Sequence, residues 1–330
     1  MKSLLRMLVP IVGLVAMAFA TTGHAQDAKT IRIALQPAPL MGFIVKEKQL
    51  LEKRGYKPEW SVFPFSPPIL EGMAAGSIDI ALLGVGPTLS IAQRDAGIWY
   101  IYDELANAAG MIVQADSGIK GPQDLKGKKV AFPGKSSQLY AQLMLYLRDS
   151  GVSDTDMELI RVNASDMNTL FERKEVDAAL AWPPFTSEPI RQGKAISLFT
   201  ADDLLKQKGG HWLNSGWGVR KDYAEQHEDA VLAVIESLHE ATRLLRENPQ
   251  EAYGILATAT GYTPEAIAFM IEGTYVAHYD PEITAPSADD LITIFNVLAK
   301  EGIVTDSGNA AEAIKAMVHP EFVEKVLAKK

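Results

Sequence analysis

Two short segments of this 330-residue chain carry residue types that could bind an oxyanion. In Gly84-Val85-Gly86-Pro87-Thr88, the glycines would let a ligand approach the backbone. Pro87 is typical of a first helical turn, whose free N–H groups attract anions. In Gly134-Lys135-Ser136-Ser137, two serines at a predicted helix start could bind an oxyanion through hydroxyls and amides, with Lys135 as a nearby cation. A plain turn and an ordinary helix cap explain the same residues without a ligand.

Two aromatic segments are further candidates for a binding site. Trp182-Pro183-Pro184 follows an apolar run, where the indole could form a wall beside a ligand, although core packing is the commoner use of tryptophan. Asn214-Ser215-Gly216-Trp217 lies where the pattern of the chain changes. It could be a returning crossover that lines a cleft, or a plain surface turn.

No catalytic arrangement is visible in the sequence. The six histidines show no metal-ligand spacing, and no serine has the G-x-S-x-G context of a hydrolase nucleophile. Asp79 and Asp177 could suggest a pair of catalytic carboxylates, but each precedes an apolar run and is expected to cap its strand away from the cleft. We therefore expect a protein that is not an enzyme and that has neither a metal nor a cofactor.

A phrase that occurs twice indicates which elements hold these segments. Residues 76–87 and 174–184 each run through an aspartate and an apolar stretch to a proline. Such apolar runs are typical of strands buried on both faces of a parallel sheet, and ligands of open α/β sheets lie beyond the carboxyl ends of these strands. The repeat predicts two similar lobes, each directing one strand end at a shared cleft.

Strand and helix alternate along most of the chain, as in layered α/β folds. Strands are predicted at 30–35, 59–63, 78–83, 98–102, 111–114, 129–132, 159–162 and 195–199, and in the second copy of the phrase. The predicted helices include 42–54, one capped by Ser66, one beginning at Pro87, and 136–149. The chain after Val219 is predicted to be mostly helical.

The composition excludes several classes of function. Lys2 and Arg6, an apolar run at 7–20 and Gly23-His24-Ala25 predict a signal peptide over residues 1–25. The net charge is −9 and becomes more negative without that peptide, so no nucleic-acid partner is expected. The chain has no cysteine, which excludes disulfides and a lipidated cysteine anchor. No later segment is apolar enough to span a bilayer, and a periplasmic location is expected.

The chain resembles the periplasmic solute-binding proteins of ABC importers, in the nitrate, sulfonate and taurine group. The resemblance rests on the first copy of the repeated phrase, on Gly121–Ala131, on Trp182-Pro183-Pro184 and on Trp217–Glu225. It implies an α/β fold of two lobes with a ligand cleft between them, which is the type II periplasmic-binding-protein fold. The lobes would close on the ligand like a hinge.

The resemblance also implies domain boundaries and ligand positions. Residues 30–110 and 215–330 would form lobe 1 with the C-terminal helices, and residues 111–214 would form lobe 2. The implied ligand-binding residues are Gln36, Gly86, Pro87, Ser136, Ser137, Gln138, Trp182 and Ser215.

By this resemblance, a monomer would capture a small organic anion, either an aliphatic sulfonate or a taurine-like compound, and deliver it to the importer's membrane permease. Two departures favour an anion without an amine. Ser215 stands where taurine-type members carry an acidic residue, and Leu139 stands where taurine and sulfonate members tend to have a histidine.

Other interpretations stay open at this point. A protein of the same fold could bind nitrate, or a pyrimidine or thiamine precursor whose ring stacks on aromatic side chains and whose nitrogens meet carboxylates. A ligand sensor for a membrane receptor would share the same sequence features. A secreted α/β enzyme is the alternative from another class, and the missing nucleophile and base argue against it.

Overall fold

The computed structural model describes residues 29–37, 41–94, 96–106, 109–135, 137–205, 213–272 and 285–329. The predicted signal peptide, residues 1–25, lies outside these ranges. Within them, no helix combines the length and the apolar character needed to cross a bilayer.

Strands and helices alternate along most of the described residues, apart from three successive strands at 98–132, and only helices follow the last strand. The strands are β1 (Thr30–Leu35), β2 (Lys57–Val62), β3 (Ile80–Gly84), β4 (Ile98–Ala106), β5 (Gly110–Gln114), β6 (Lys129–Phe132), β7 (Glu158–Arg161), β8 (Ala178–Ala181), β9 (Ala195–Thr200) and β10 (Leu213–Arg220). The helices are α1 (Met41–Glu47), α2 (Ser66–Ala74), α3 (Val85–Ala92), α4 (Gln138–Leu147), α5 (Ala164–Glu172), α6 (Ser187–Arg191), α7 (Ala201–Leu205), α8 (Lys221–Gln226), α9 (Glu228–Glu247), α10 (Pro249–Thr260), α11 (Pro264–Glu272), α12 (Ala288–Lys300), α13 (Ala310–Met317) and α14 (Glu321–Leu327).

The strands form two five-stranded sheets with the same plan. The first has the order β2-β1-β3-β10-β4 and the second the order β7-β6-β8-β5-β9. In the first sheet β1 runs parallel to β2 and β3, and in the second β6 runs parallel to β7 and β8. The fourth strand of each sheet is antiparallel to both of its neighbours. The predicted two-lobed α/β fold is therefore present, but each sheet is mixed rather than purely parallel.

Strand β10 was not predicted from the sequence. Its residues Leu-Asn-Ser-Gly-Trp-Gly-Val-Arg lack strand alternation, and its glycines are typical of a turn. The structure shows why glycine is needed. A Cβ atom on Gly216 would lie 1.9 Å from the hydroxyl oxygen of Tyr100, so the neighbouring strand can pack only against a bare backbone. The segment around Ser215 is thus a buried central strand and not a surface turn.

The predicted burial of the repeated strands on both faces is confirmed. In β3, Ile80 and Leu82 pack into the core that α1, α9 and α10 cover, whereas Ala81 and Leu83 pack on the opposite face beneath α2. The residues of β8 alternate in the same way between two cores of the second lobe. Helices cover both faces of each sheet, and this layering leaves the strand ends for a ligand site.

The two aspartates of the repeated phrase have the same structural role, as predicted. The Asp79 carboxylate accepts the backbone N–H of Arg32 at 2.9 Å, and its own N–H donates to the Arg32 carbonyl at 2.9 Å. Asp177 forms the equivalent pair with Lys129, at 2.8 and 2.9 Å. Each pair joins adjacent parallel strands at their amino ends, which is the end opposite the cleft.

Three helix starts differ from the prediction. Helix α3 begins at Val85 with Gly84 as its N-cap, two residues before Pro87. Helix α4 begins at Gln138 with Ser137 as its N-cap. Helix α2 has Phe65 as its N-cap. Ser66, expected as that cap, is therefore the first residue of the helix. The predicted helix at 42–54 is divided into α1 and a short 3₁₀ turn at 52–54, after a left-handed residue at position 49 (φ 53°).

Candidate functional site

A cavity of about 240 Å³ lies between the two sheets, beyond the ends of β3 and β8. The described residues that line it are Gln36, Pro64, Phe65, Ser66, Pro67, Leu82, Gly84, Gly86, Pro87, Ala109, Pro133, Ser137, Gln138, Leu139, Arg161, Val162, Asn163, Trp182, Asn214 and Ser215. Its position at strand ends is where open α/β sheets place their ligands.

Seven of the eight predicted ligand positions line this cavity. They are Gln36, Gly86, Pro87, Ser137, Gln138, Trp182 and Ser215. Ser136, the eighth, lies outside the described residues. The fold brings together segments that are far apart in the sequence, and a contact of each residue with a ligand stays a prediction.

Four α-helices begin at this cavity, two from each lobe. Their N-cap residues are Phe65 of α2, Gly84 of α3, Ser137 of α4 and Asn163 of α5, and all four line the cavity. The first N–H groups of a helix lack intrahelical acceptors, and the helix dipole places roughly half a positive charge at this end. The dipoles of four such ends make the cavity electropositive without any contribution from side chains, although Pro67, Pro68 and Pro87 in the first turns of α2 and α3 supply no N–H group.

Two serine hydroxyls at the cavity are held as donors. Ser66 Oγ accepts the N–H of Gly84 at 2.8 Å and the amide of Gln36 at 3.2 Å, which uses both oxygen lone pairs. The Gln36 amide nitrogen also donates to the Leu82 carbonyl at 3.0 Å. Gln36 therefore holds Ser66 in place and has no free N–H for a ligand. The remaining hydrogen of Ser66 can only be donated, and an anion would accept it.

The second lobe also supplies a hydroxyl donor, from Ser137. Ser137 Oγ accepts the N–H of Leu139 at 3.0 Å, as a helix N-cap does, and its O–H remains available as a donor. On the first lobe, the buried Ser215 hydroxyl oxygen has no hydrogen-bond partner in the described part of the chain. Because buried hydroxyls are nearly always hydrogen-bonded, this atom calls for a partner inside the cavity.

Arg161 carries the only formal charge among the described residues that line the cavity. It is the last residue of β7 and is exposed at the cavity wall. Gly134 lies against it, because a Cβ atom there would be 3.4 Å from Arg161 Nε. Arg161 was not predicted from the sequence, although a basic residue at the carboxyl end of a predicted strand was the available signal.

Lys135, the cation expected from the sequence, does not line the cavity. Its ammonium group forms an ion pair with Asp154 at 3.0 Å and lies 5.2 Å from the centre of the Tyr140 ring. The Asp154 and Tyr140 side chains thus hold Lys135 on the surface, and Arg161 takes the place that the prediction gave to Lys135.

The two lobes touch at the polar end of the cavity. Gln138 Nε2 of α4 donates to the Asn214 side chain of β10 at 2.6 Å. Gly86 permits this approach, since a Cβ atom there would lie 3.3 Å from the Gln138 backbone nitrogen. Residues from both lobes therefore surround one cavity.

Apolar residues form much of the remaining wall. Pro64 and Phe65 come from the connection before α2, Pro67 from the first turn of α2, and Val162 and Trp182 from the second lobe. The Trp182 ring is held edge to face against Phe185, with ring centres 5.9 Å apart. The cavity can thus bind an anionic group and an apolar group together.

The described residues offer no arrangement for metal binding. They contain no group of three or more histidine, aspartate or glutamate side chains that could hold a metal ion. The lining residues described above also include no carboxylate and no histidine, so no general base stands beside the serine hydroxyls.

The chain is similar to proteins of a known family. Residues 68–252, more than half of the chain, match the model of the family described as NMT1/THI5 like. The chain belongs to this family. The NMT1/THI5-like chain is 30% identical over 278 residues to an Escherichia coli (strain K12) protein named for aliphatic sulfonates binding, with 83% of each protein covered.

A second relative and a solved structure to which the chain is similar are also named as binding proteins. The taurine-binding periplasmic protein of Escherichia coli (strain K12) is 25% identical over 304 residues, which cover 88% of this chain and 93% of that protein. The alkanesulfonate-binding protein SsuA from Xanthomonas axonopodis pv. citri, solved with bound MOPS, superposes with a TM-score of 0.72 at 25% identity, covering 86% of this chain and 97% of that one. The predicted resemblance and the two-lobed fold class are confirmed.

Proposed function

We propose that this protein binds a small organic anion, with a sulfonate as its charged group, in the cavity between the lobes and delivers it to an ABC importer. The observation that carries the proposal is the meeting of four helix N-termini with Arg161, and with no carboxylate among the described lining residues. The helix ends and the arginine attract an anion, and no carboxylate of the described wall repels the oxygens of that anion.

A sulfonate suits these donors better than a planar or monatomic anion does. Its three oxygens point in different directions, and donors reach the cavity from both lobes: the Ser66 hydroxyl from one side, and the Ser137 hydroxyl and the Arg161 guanidinium from the other. The names of the relatives support the same headgroup. Binding of a pyrimidine through carboxylates is not favoured, since the described wall has none.

Taurine is expected to bind less well than a sulfonate without an amine. An ammonium group entering the cavity would need a carboxylate or several acceptors to replace its water. Ser215 offers a single hydroxyl, and the described lining residues offer no carboxylate. The ligand that we propose is therefore a sulfonate whose other end is uncharged.

The remaining parts of the proposal follow from the role of such a protein. Residues 1–25 would direct export and be removed, which places the mature protein in the periplasm. The two lobes, each built on one of the five-stranded sheets, would close on the ligand, and the closed monomer would dock on the importer's permease. The protein would bind its ligand without catalysing a reaction.

The proposed function is tested at Arg161. Replacing Arg161→Gln should weaken binding of ethanesulfonate by about 10- to 100-fold, because a hydrogen bond to a charged group is worth about 1.5–3 kcal/mol. Arg161→Lys should recover part of that loss, since the charge returns without the two-pronged geometry. Isothermal titration calorimetry measures each dissociation constant.

The matched control is Lys135→Gln, which removes a cation of the neighbouring loop that is paired with Asp154. We expect this variant to change the dissociation constant less than about twofold, because an exposed ion pair contributes little. Equal effects of the two substitutions, or wild-type affinity in Arg161→Gln, would remove Arg161 from the site and contradict the proposal.

A further inference from the structure

We propose that the ligand's uncharged end is a bulky apolar group the size of a phenyl ring, which packs against Phe65 of one lobe and Trp182 of the other. The inference rests on the proposed function for its anionic headgroup and extends it to the class of ligand. It assigns to the apolar wall a role in choosing among sulfonates.

The size of the cavity is the first observation. A protein cavity of about 150 Å³ lined by apolar side chains is known to accept benzene. The cavity here measures about 240 Å³, which leaves room for a ring and for a sulfonate beside it. A two-carbon sulfonate would leave much of this volume to water.

The exposure of Phe65 is the second observation. Its side chain is 46% exposed although it lines the cavity, and it is one of few large apolar side chains exposed to this extent in the described part of the chain. Val62, 51% exposed, ends β2 three residues before Phe65. A ligand with a ring would remove this apolar surface from water, which a short alkyl chain could do only in part.

The fixed position of the aromatic wall is the third observation. The backbone of Phe65 is set by its place as the N-cap of α2, and the Trp182 ring is held against Phe185. A ring that is fixed before binding, as Trp182 is, loses little entropy when a ligand packs on it. Because one aromatic residue comes from each lobe, a ring between them would also link the lobes.

The experiment compares two ligands that share a sulfonate group but differ in their apolar end. It also compares two ligands that share a phenyl ring but differ in whether they carry the sulfonate. Calorimetry is run with ethanesulfonate, benzenesulfonate and the uncharged benzyl alcohol, on wild type and on Phe65→Ala. We expect benzenesulfonate to bind wild type about tenfold more tightly than ethanesulfonate does. Phe65→Ala should weaken benzenesulfonate about tenfold and change ethanesulfonate less than about twofold.

Ile196→Ala is the matched control, because Ile196 is also 46% exposed but lies on β9 and does not line the cavity. The Ile196→Ala substitution should change the dissociation constant of neither sulfonate. Thermal melting of each variant checks folding, which the half-exposed Phe65 side chain should affect little. Trp182→Leu provides a second, independent removal of an aromatic wall residue and should have the same selective effect as Phe65→Ala.

The outcomes separate the two proposals. If wild type binds benzenesulfonate no more tightly than ethanesulfonate, or if Phe65→Ala weakens both equally, the inference is wrong while sulfonate binding stands. If benzyl alcohol binds as tightly as benzenesulfonate, the proposed headgroup is wrong while the apolar site stands. If none of the three compounds binds, both proposals are wrong.

Discussion

Ser66 illustrates how a common residue becomes a directed donor. A serine before Pro67 has the sequence of a helix cap, yet the structure places it inside the first turn of α2 with 3% of its surface exposed. Two accepted hydrogen bonds, from Gly84 and Gln36, leave its hydroxyl hydrogen as the one group that can still bond. The protein has thus fixed the direction of this donor before any ligand arrives.

Replacing Ser66→Ala should weaken sulfonate binding about tenfold, because the anion loses one buried donor. The variant should also lower the free energy of unfolding by about 1–3 kcal/mol, since the Gly84 N–H loses its acceptor. Calorimetry and chemical denaturation measure the two effects. Ser90→Ala serves as the control, because the Ser90 hydroxyl bonds only the Pro87 carbonyl on the exposed side of α3. An unchanged dissociation constant in Ser66→Ala would mean that this hydroxyl does not contact the ligand.

Helix α1 follows β1 as α4 follows β6, but its N-terminus has a different partner. The Met41 N–H donates to the Glu104 carboxylate at 2.5 Å, and the Trp217 indole N–H donates to the other carboxylate oxygen. Glu104 thereby connects α1, β4 and β10 within the first lobe. Burial raises the pKa of Glu104 to about 7 from its ordinary value of 4.5. The Glu104 carboxylate accepts an N–H group at the start of α1, whereas the start of α4 faces the cavity, where a ligand can bind.

The raised pKa of Glu104 predicts a pH dependence of stability. The native state holds a proton that the unfolded state releases near pH 4.5, so the free energy of unfolding should fall as the pH rises toward and through about 7. Glu104→Gln should flatten this decline by on the order of 2 kcal/mol between about pH 5 and about pH 8. Urea unfolding at several pH values provides the measurement.

The slope is the diagnostic quantity in that experiment, because Glu104→Gln also replaces one acceptor by an amide and can lower stability at every pH. Burial raises the pKa of the neighbouring Asp103 to about 7 as well, and its contribution remains in the variant. Parallel curves for wild type and Glu104→Gln would show that Glu104 does not titrate in this window.

The two lobes contact each other through α4. Beyond the Gln138–Asn214 hydrogen bond, Ala141 packs into a core formed by α3, α12 and α13 of the first lobe. At the far end of α4, Arg148 forms an ion pair with Glu301 at 2.7 Å. The chain passes between the lobes twice, between β4 and β5 and again between β9 and β10, so rotation about these crossings would open the cavity.

We expect ligand binding to shift the lobes toward the closed arrangement. Small-angle X-ray scattering should give a smaller radius of gyration with saturating sulfonate than without it, because the ligand is held by residues of both lobes. Arg161→Gln at the same ligand concentration should show a smaller change. Identical scattering profiles for wild type with and without ligand would favour a rigid cavity.

Local patterns in the sequence were enough to predict most of the elements. Strands β1 and β6 have the predicted bounds, and the remaining predicted strands are present within a few residues of their predicted ends. These elements follow from apolar periodicity and from glycine and proline, which act over a few neighbouring residues. Helix starts were harder to predict, because the N-cap Ser137 and the first-turn residue Ser66 are the same type of residue.

The candidate site depended on contacts between distant residues. Ser66, Arg161 and Ser215 meet only because β10 inserts between β3 and β4 and because the second sheet repeats the plan of the first. Arg161 stands at the end of a predicted strand, but the sequence alone does not exclude Lys135; the contact with Asp154 decides that Lys135 stays at the surface. Sequence periodicity specifies which residues are buried in an element, whereas strand order decides which helix ends converge, and here that convergence of four N-termini makes the electropositive cavity.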